Sequence, residues 1–299
     1  MTSQSDPPRL TIAIPIHRAE RWVPGIVGNV GKAPEWSRVV ISDASGLDDS
    51  AARLEDLFAG NPIVEVVKRP DHLDWVAHCN LLLEESLTEF FCWLPQDDVL
   101  MSDRYFESLI EALDRDPGVA VALPAGFSVH GRGRLRRRPE FLVRRRSVLR
   151  AERDGGGVDF SLNSRLPVSL GFIWKGTFRR SMARPMPAVR QGTSSDVAWA
   201  FSMALAGGIV EVPDAIYLKR LHSQSATYLT KQTSGADLLE ALVGEANARF
   251  PEGGDARGRA LEVADLVVAS AAAARSSHEP GTLKKIIRRL VNEPRPYYE

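Results

Sequence analysis

The chain has 299 residues, 44% hydrophobic and 25% charged, with 38 Lys plus Arg against 38 Asp plus Glu. That length suits one large α/β domain or two small ones, and the composition is that of a globular rather than a disordered chain. The balanced charge excludes a global pull toward nucleic acid or membrane.

Two cysteines, Cys79 and Cys92, cannot build a disulfide framework, and both sit in apolar surroundings that suit buried free thiols in a reducing compartment. Residues 1–8 are polar and Pro-containing, without the apolar core of a signal segment. No uncharged stretch reaches the ~18 residues of a membrane span; the nearest, Leu261 to Ala274, carries Glu262 and Asp265. A cytoplasmic protein is expected.

The run Leu10–Ile16 is apolar throughout, as in a strand buried on both faces of a parallel sheet. A turn through His17, Arg18 and Glu20 leads to a helix predicted near Val23 to Val30. Arg38–Ile41 reads as the second strand, ending at Ser42-Asp43-Ala44-Ser45-Gly46, and Asp49–Phe58 as a helix. Ile63–Val67 is a third strand, Asp74–Ser86 a helix, Phe90–Leu94 a fourth strand and Tyr105–Leu113 another helix. This alternation at short spacing predicts a doubly wound α/β sheet.

Val119–Leu123 is a fifth strand. A stretch over 130–157 follows, crowded with arginine and closed by Gly155-Gly156-Gly157; it reads as an insertion. A solvated loop or a clamp for an anionic acceptor would both suit it, whereas the scarcity of interleaved aromatic residues argues against nucleic acid. Ser169–Phe178 is strand-like, Ser194–Leu205 is a helix closed by Gly207-Gly208, and Ile209–Pro213 and Ile216–His222 are short strands. Beyond residue 231 the pattern is helical, with helices around Leu238–Ala246, Leu261–Ala274 and Leu283–Val291. The last has a basic face that could rest on a membrane surface, although packing on the main domain is the reading preferred here.

The chemistry concentrates where the fourth strand ends, at Pro95-Gln96-Asp97-Asp98. Open α/β sheets bind ligands at the carboxyl ends of their strands, and adjacent carboxylates invite a divalent cation. Pro15 to Glu20, Asp43 and the Asp97-Asp98 pair should therefore line one crevice.

Here the chain resembles family-2 glycosyltransferases of the GT-A fold. Thr11–Arg18 is similar to their opening strand, and Val39–Ser45 to the second strand with its acidic turn. Phe91–Asp98 resembles their Asp-x-Asp region, Ser195-Asp196 the acidic pair opening a late helix, and Arg220-Leu221-His222 their Arg-x-His segment.

The resemblance implies a GT-A domain over 1–230 with a helical extension over 231–299. It also implies inverting transfer of a sugar from a UDP-, GDP- or dTDP-sugar to the hydroxyl of a glycan, lipid-linked or small-molecule acceptor. It casts Asp196 as general base and gives Pro15, Ile16, His17, Arg18, Glu20, Asp43, His78 and Asp97 to the nucleotide sugar. Asp98, with Asp97 and His222, would hold Mg2+ or Mn2+.

The chain departs from the pattern at Pro95, at Ser42, and at Cys79, where a basic residue is common. An inactive nucleotide- or partner-binding domain of the same fold is therefore the alternative. A nucleotidyltransferase is disfavoured, because no Gly-rich, Lys-bearing loop follows the first strand. Trp174 and Trp199 could stack on a sugar ring or pack in the core.

Overall fold

A computed structural model of the chain describes residues 7–70, 72–130, 134–137, 173–189, 194–221, 234–250 and 254–276. The strands are β1 (Leu10–Ile16), β2 (Ser37–Asp43), β3 (Val64–Lys68), β4 (Phe90–Trp93), β5 (Val99–Leu100), β6 (Val119–His130), β7 (Arg134–Arg137), β8 (Thr177–Arg179) and β9 (Gly208–Leu221). Helices α1 (Val23–Val30), α2 (Ser50–Leu57), α3 (Trp75–Glu84) and α4 (Tyr105–Arg115) alternate with the early strands; α5 (Ser195–Ala206), α6 (Gly235–Arg249) and α7 (Asp255–Ser276) come later.

The strands join in the order β3-β2-β1-β4-β8-β6-β9-β5, with β7 paired to β6. Strands β3, β2, β1 and β4 are mutually parallel, while β8 runs antiparallel between β4 and β6. The sheet is thus mixed.

Alternation along the strands sends successive side chains to opposite faces, and both faces are apolar. Leu10, Ile12 and Ile14 of β1 pack with Ala51 of α2, Ile26 of α1 and Leu109 of α4. Ala13, Phe91 and Trp93 face the other way, toward Leu82 of α3, Trp199 of α5, Leu242 of α6 and Val263 of α7. On this second face the rings of Trp93, Phe178 and Trp199 lie 4.8–5.2 Å apart between centroids. Such pairs contribute roughly 0.5–1.5 kcal/mol each beyond their burial. Helices α6 and α7 share this core with the sheet.

Three expectations differ in extent. The two short strands predicted over 209–222 are one 14-residue strand, β9. Its register against β6 jumps from Pro124↔Val212 to Ala125↔Ile216, a bulge that absorbs Pro213, which lacks the N–H a regular ladder requires. Strand β6 runs to His130, well past Leu123, because β9 accompanies it along that length. Of the strand-like run 169–178, only Thr177 and Phe178 lie in a strand; Trp174 and Lys175 form a turn, and 169–172 lie outside the described residues. The arginine-rich stretch is described only at residue 130 and at β7, and the helix predicted over 283–291 lies outside the described residues.

The turn before β8 is tight. A Cβ on Gly176 would lie 2.6 Å from the Ala122 carbonyl oxygen and 2.7 Å from a Val121 methyl. Gly176→Ala should therefore destabilise the protein by about 1–3 kcal/mol through overpacking, measurable as a lower denaturant midpoint at unchanged slope.

Candidate active site

Strands β1 and β2 end in register, with Ile16 beside Asp43. Asp43 is 3% exposed, and its Oδ1 accepts from the Ser45 N–H (2.8 Å), the Ser45 hydroxyl (2.6 Å) and the Gly46 N–H (3.4 Å). The carboxylate therefore builds its own turn, closed by Gly46 at φ 56°. Pro15 is half-buried, and His17, Arg18 and Glu20 are exposed. Ile16 is 1% exposed with its side chain in the core, which leaves only its backbone for a ligand. Arg18 holds a φ of 49°, a left-handed conformation that costs a non-glycine residue energy and often marks functional loops. Glu20 pairs with Arg53, and its N–H donates to Asp48.

Gln96 ties this loop to the acidic one. Its Oε1 accepts the His17 N–H (2.7 Å) and its Nε2 donates to the His17 carbonyl (2.8 Å). Asp97 is half-buried next door.

Asp98 lies deeper, at 1% exposure, and is surrounded by donors. Lys175 Nζ (2.8 Å) and the Tyr217 hydroxyl (2.5 Å) donate to its Oδ2, while the Arg220 N–H (3.1 Å) donates to Oδ1. Its carbonyl accepts from Asn29 Nδ2, whose partner oxygen takes the Leu100 N–H. Expected as a metal ligand, Asp98 has both oxygens engaged by the protein. The reason is topological: β5 pairs with β9, Leu100 against Tyr217, and the same strand brings the Tyr217 hydroxyl and the Arg220 N–H to the preceding carboxylate.

His78 is likewise turned inward. It is 5% exposed, and its Nε2 lies 2.8 Å from Ser42 Oγ. Burial, aided by the Arg69 charge, lowers its pKa to about 4, so the ring is neutral near pH 7 and supplies no charge to a diphosphate. Arg69 donates to the same Ser42 oxygen and to both oxygens of Glu85. Ser42 thus forms a hydrogen-bonded joint between β2, α3 and the loop after β3. Cys79 and Cys92 are buried with pKa values raised to about 12 by desolvation, so both remain thiols.

Asp196 is half-buried in the first turn of α5, with Oδ1 accepting the Val197 N–H at 2.9 Å. Burial pushes its carboxyl up to about 6, against the lowering pull of Lys219, the Val197 N–H and Lys175. Trp199 is fully buried and belongs to the core. Trp174 is half-buried, 6.2 Å from Trp75 between ring centroids. His222 lies outside the described residues.

Sequence reasoning missed Lys175, Tyr217, Asn29 and Gln96. The first three lie tens of residues from Asp98 and leave no spacing signal. Gln96 was in view, as the residue before the acidic pair, but nothing local shows its reach to His17.

Residues 11–166, just over half of the chain, match the model of glycosyl transferase family 2. The chain belongs to that family and is a glycosyltransferase. No curated sequence matches it significantly. Among solved structures, S. aureus TarS 1-349 in complex with UDP-GlcNAc is similar at a TM-score of 0.64 and 15% identity, over 85% of this chain and 70% of that one. The mannosyltransferase PcManGT from Pyrobaculum calidifontis, in complex with GDP-Man and Mn2+, matches at 0.53 and 14%, over 90% and 76%. At such identities the likeness is one of fold, and the fold is GT-A.

His78 yields a stability test. Its folded pKa lies below the ordinary 6.5, so the unfolded chain takes up the proton first as pH falls. Its contribution is present above pH 6.5 and lost between about 6.5 and 4. The stability of the wild type relative to His78→Asn should decline across that window in pH-resolved denaturation.

Proposed function

We propose that this glycosyltransferase moves a sugar, with inversion, from a nucleoside-diphosphate donor to an acceptor hydroxyl. The observation that carries the reading is the shared carboxyl edge of β1, β2 and β4, which holds the Asp43 turn, the His17–Gln96 clamp and Asp97. Lys175 pairs with the adjoining Asp98, and its charge is felt at Asp196. The donor base would lie along Pro15 and Asp43, with the diphosphate toward Arg18 and Asp97. UDP-, GDP- and dTDP-sugars are the candidates, and TarS and PcManGT are seen with UDP-GlcNAc and GDP-Man.

Among the described residues no three His, Cys, Asp or Glu side chains form a metal cage. The donor set nevertheless fits a divalent ion arriving on the diphosphate, since Mg2+ commonly takes one or two carboxylates plus substrate phosphates. Asp97, the less buried of the pair, would hold it, and the bound ion would neutralise the leaving diphosphate.

Asp196 acts as the base. As the acceptor oxygen attacks the anomeric carbon, the carboxylate takes the hydroxyl proton and the bond to the diphosphate oxygen breaks. A single displacement inverts the carbon. A carboxyl raised to about 6 is a stronger base than an exposed one yet still ionised near neutrality. The acceptor class is a glycan, a lipid-linked sugar or a small molecule. No helix among the described residues is long and apolar enough to cross a membrane.

Asp196→Asn should lower kcat about 10²–10⁴-fold, the usual worth of a general base, with donor affinity retained in calorimetry. Unchanged turnover would remove Asp196 from this role. In the wild type, kcat should fall about tenfold per pH unit below about 6, where the base becomes protonated. Asp97→Asn should weaken donor binding in Mn2+ far more than in EDTA, measured by titration with UDP and GDP.

A further inference from the structure

Asp98, Lys175 and Tyr217 come from three distant chain segments and meet at 1%, 5% and 1% exposure. A buried ion pair is a poor device for stability, because desolvation offsets most of its attraction and apolar replacements often do as well. What this one does is geometric. The residue after Asp97 is held at its carbonyl by Asn29 of α1 and at its carboxylate by Lys175, Tyr217 and the Arg220 N–H of β9. Gln96, on the other side of Asp97, is held by the His17 backbone. Asp97 therefore lies in a loop pinned at both neighbours.

Lys175 is itself confined. Its ammonium lies 4.2 Å from the Trp174 ring centroid and 5.7 Å from that of Tyr217, and the turn that carries it is packed too tightly at Gly176 to admit a methyl group. The ammonium also contributes to the field at Asp196.

We propose that Lys175 and Tyr217 are positioning residues for transfer, clamping Asp98 so that the neighbouring Asp97 is presented to the cation-bearing diphosphate. This rests on the donor reading above. Neither residue touches substrate; both act through Asp98. Groups that orient a metal ligand characteristically matter about 10–100-fold in metal affinity when removed.

The test compares Tyr217→Phe, which deletes one oxygen, with Lys175→Met and Lys175→Arg in the full chain. UDP and GDP binding is titrated in Mn2+ and in EDTA, alongside thermal melting and kcat and KM. Tyr217→Phe should weaken nucleotide binding about tenfold in Mn2+ and leave the value in EDTA unchanged, with donor KM rising more than kcat falls. Lys175→Arg should retain more of the Mn2+ effect than Lys175→Met.

Should Lys175→Met fail to fold, Tyr217→Phe carries the comparison. A lower melting temperature with an unchanged Mn2+ to EDTA ratio would mean a merely structural role and would overturn the inference alone. Wild-type protein that binds neither nucleotide in Mn2+ would overturn both this inference and the donor reading.

Discussion

A carboxylate at 1% exposure has to be answered where it stands, and the answer to Asp98 organises the middle of this molecule. Lys175, Tyr217 and the β9 backbone converge on it, and through it α1, the acidic loop, the turn before β8 and the last strand are joined. Removing one partner of such a group leaves a buried charge unpaired, at a cost on the order of 3–5 kcal/mol. The positions of these segments are accordingly interdependent. The sheet order follows suit: β5 has only two residues, yet its pairing with β9 closes the sheet's far edge and brings Tyr217 under the loop.

The carboxyl edge of the early strands shows a division between neighbouring residues. Asp97 and Asp98 are adjacent and chemically identical, yet one is half-buried and the other is sealed at 1% exposure. Ile16 and His17 divide in the same way, one in the core and the other exposed. In His78 and Asp196 one cause acts on opposite charges: burial keeps the imidazole neutral and raises the carboxyl to about 6, because desolvation disfavours the charged form of either group.

Much of the fold was legible because the first 115 residues repeat one rule. Apolar strands are followed by amphipathic helices, each with a turn between, and the helices at 23–30, 50–57 and 75–84 fall within two residues of expectation at either end. The later half was less so. Strand β9 crosses Pro213 without ending, since a bulge costs little when long ladders flank it, and propensity rules see only the proline. The crevice was legible as a set of strand ends; its clamps were not, for Lys175 is 77 residues from Asp98 and Tyr217 is 119.

By itself the sequence determined that the chain is an α/β protein with acidic side chains at the carboxyl ends of its early strands. It also ordered the segments that mark a family-2 glycosyltransferase. Those are properties of local pattern, since hydrophobic period and turn chemistry are written within a few residues of where they act. Only the tertiary structure decided which of the two acids is sealed and tied to distant donors and which stays half-buried. Burial is set by the pairing of distant strands, and two adjacent aspartates carry no mark of which one β9 will cover.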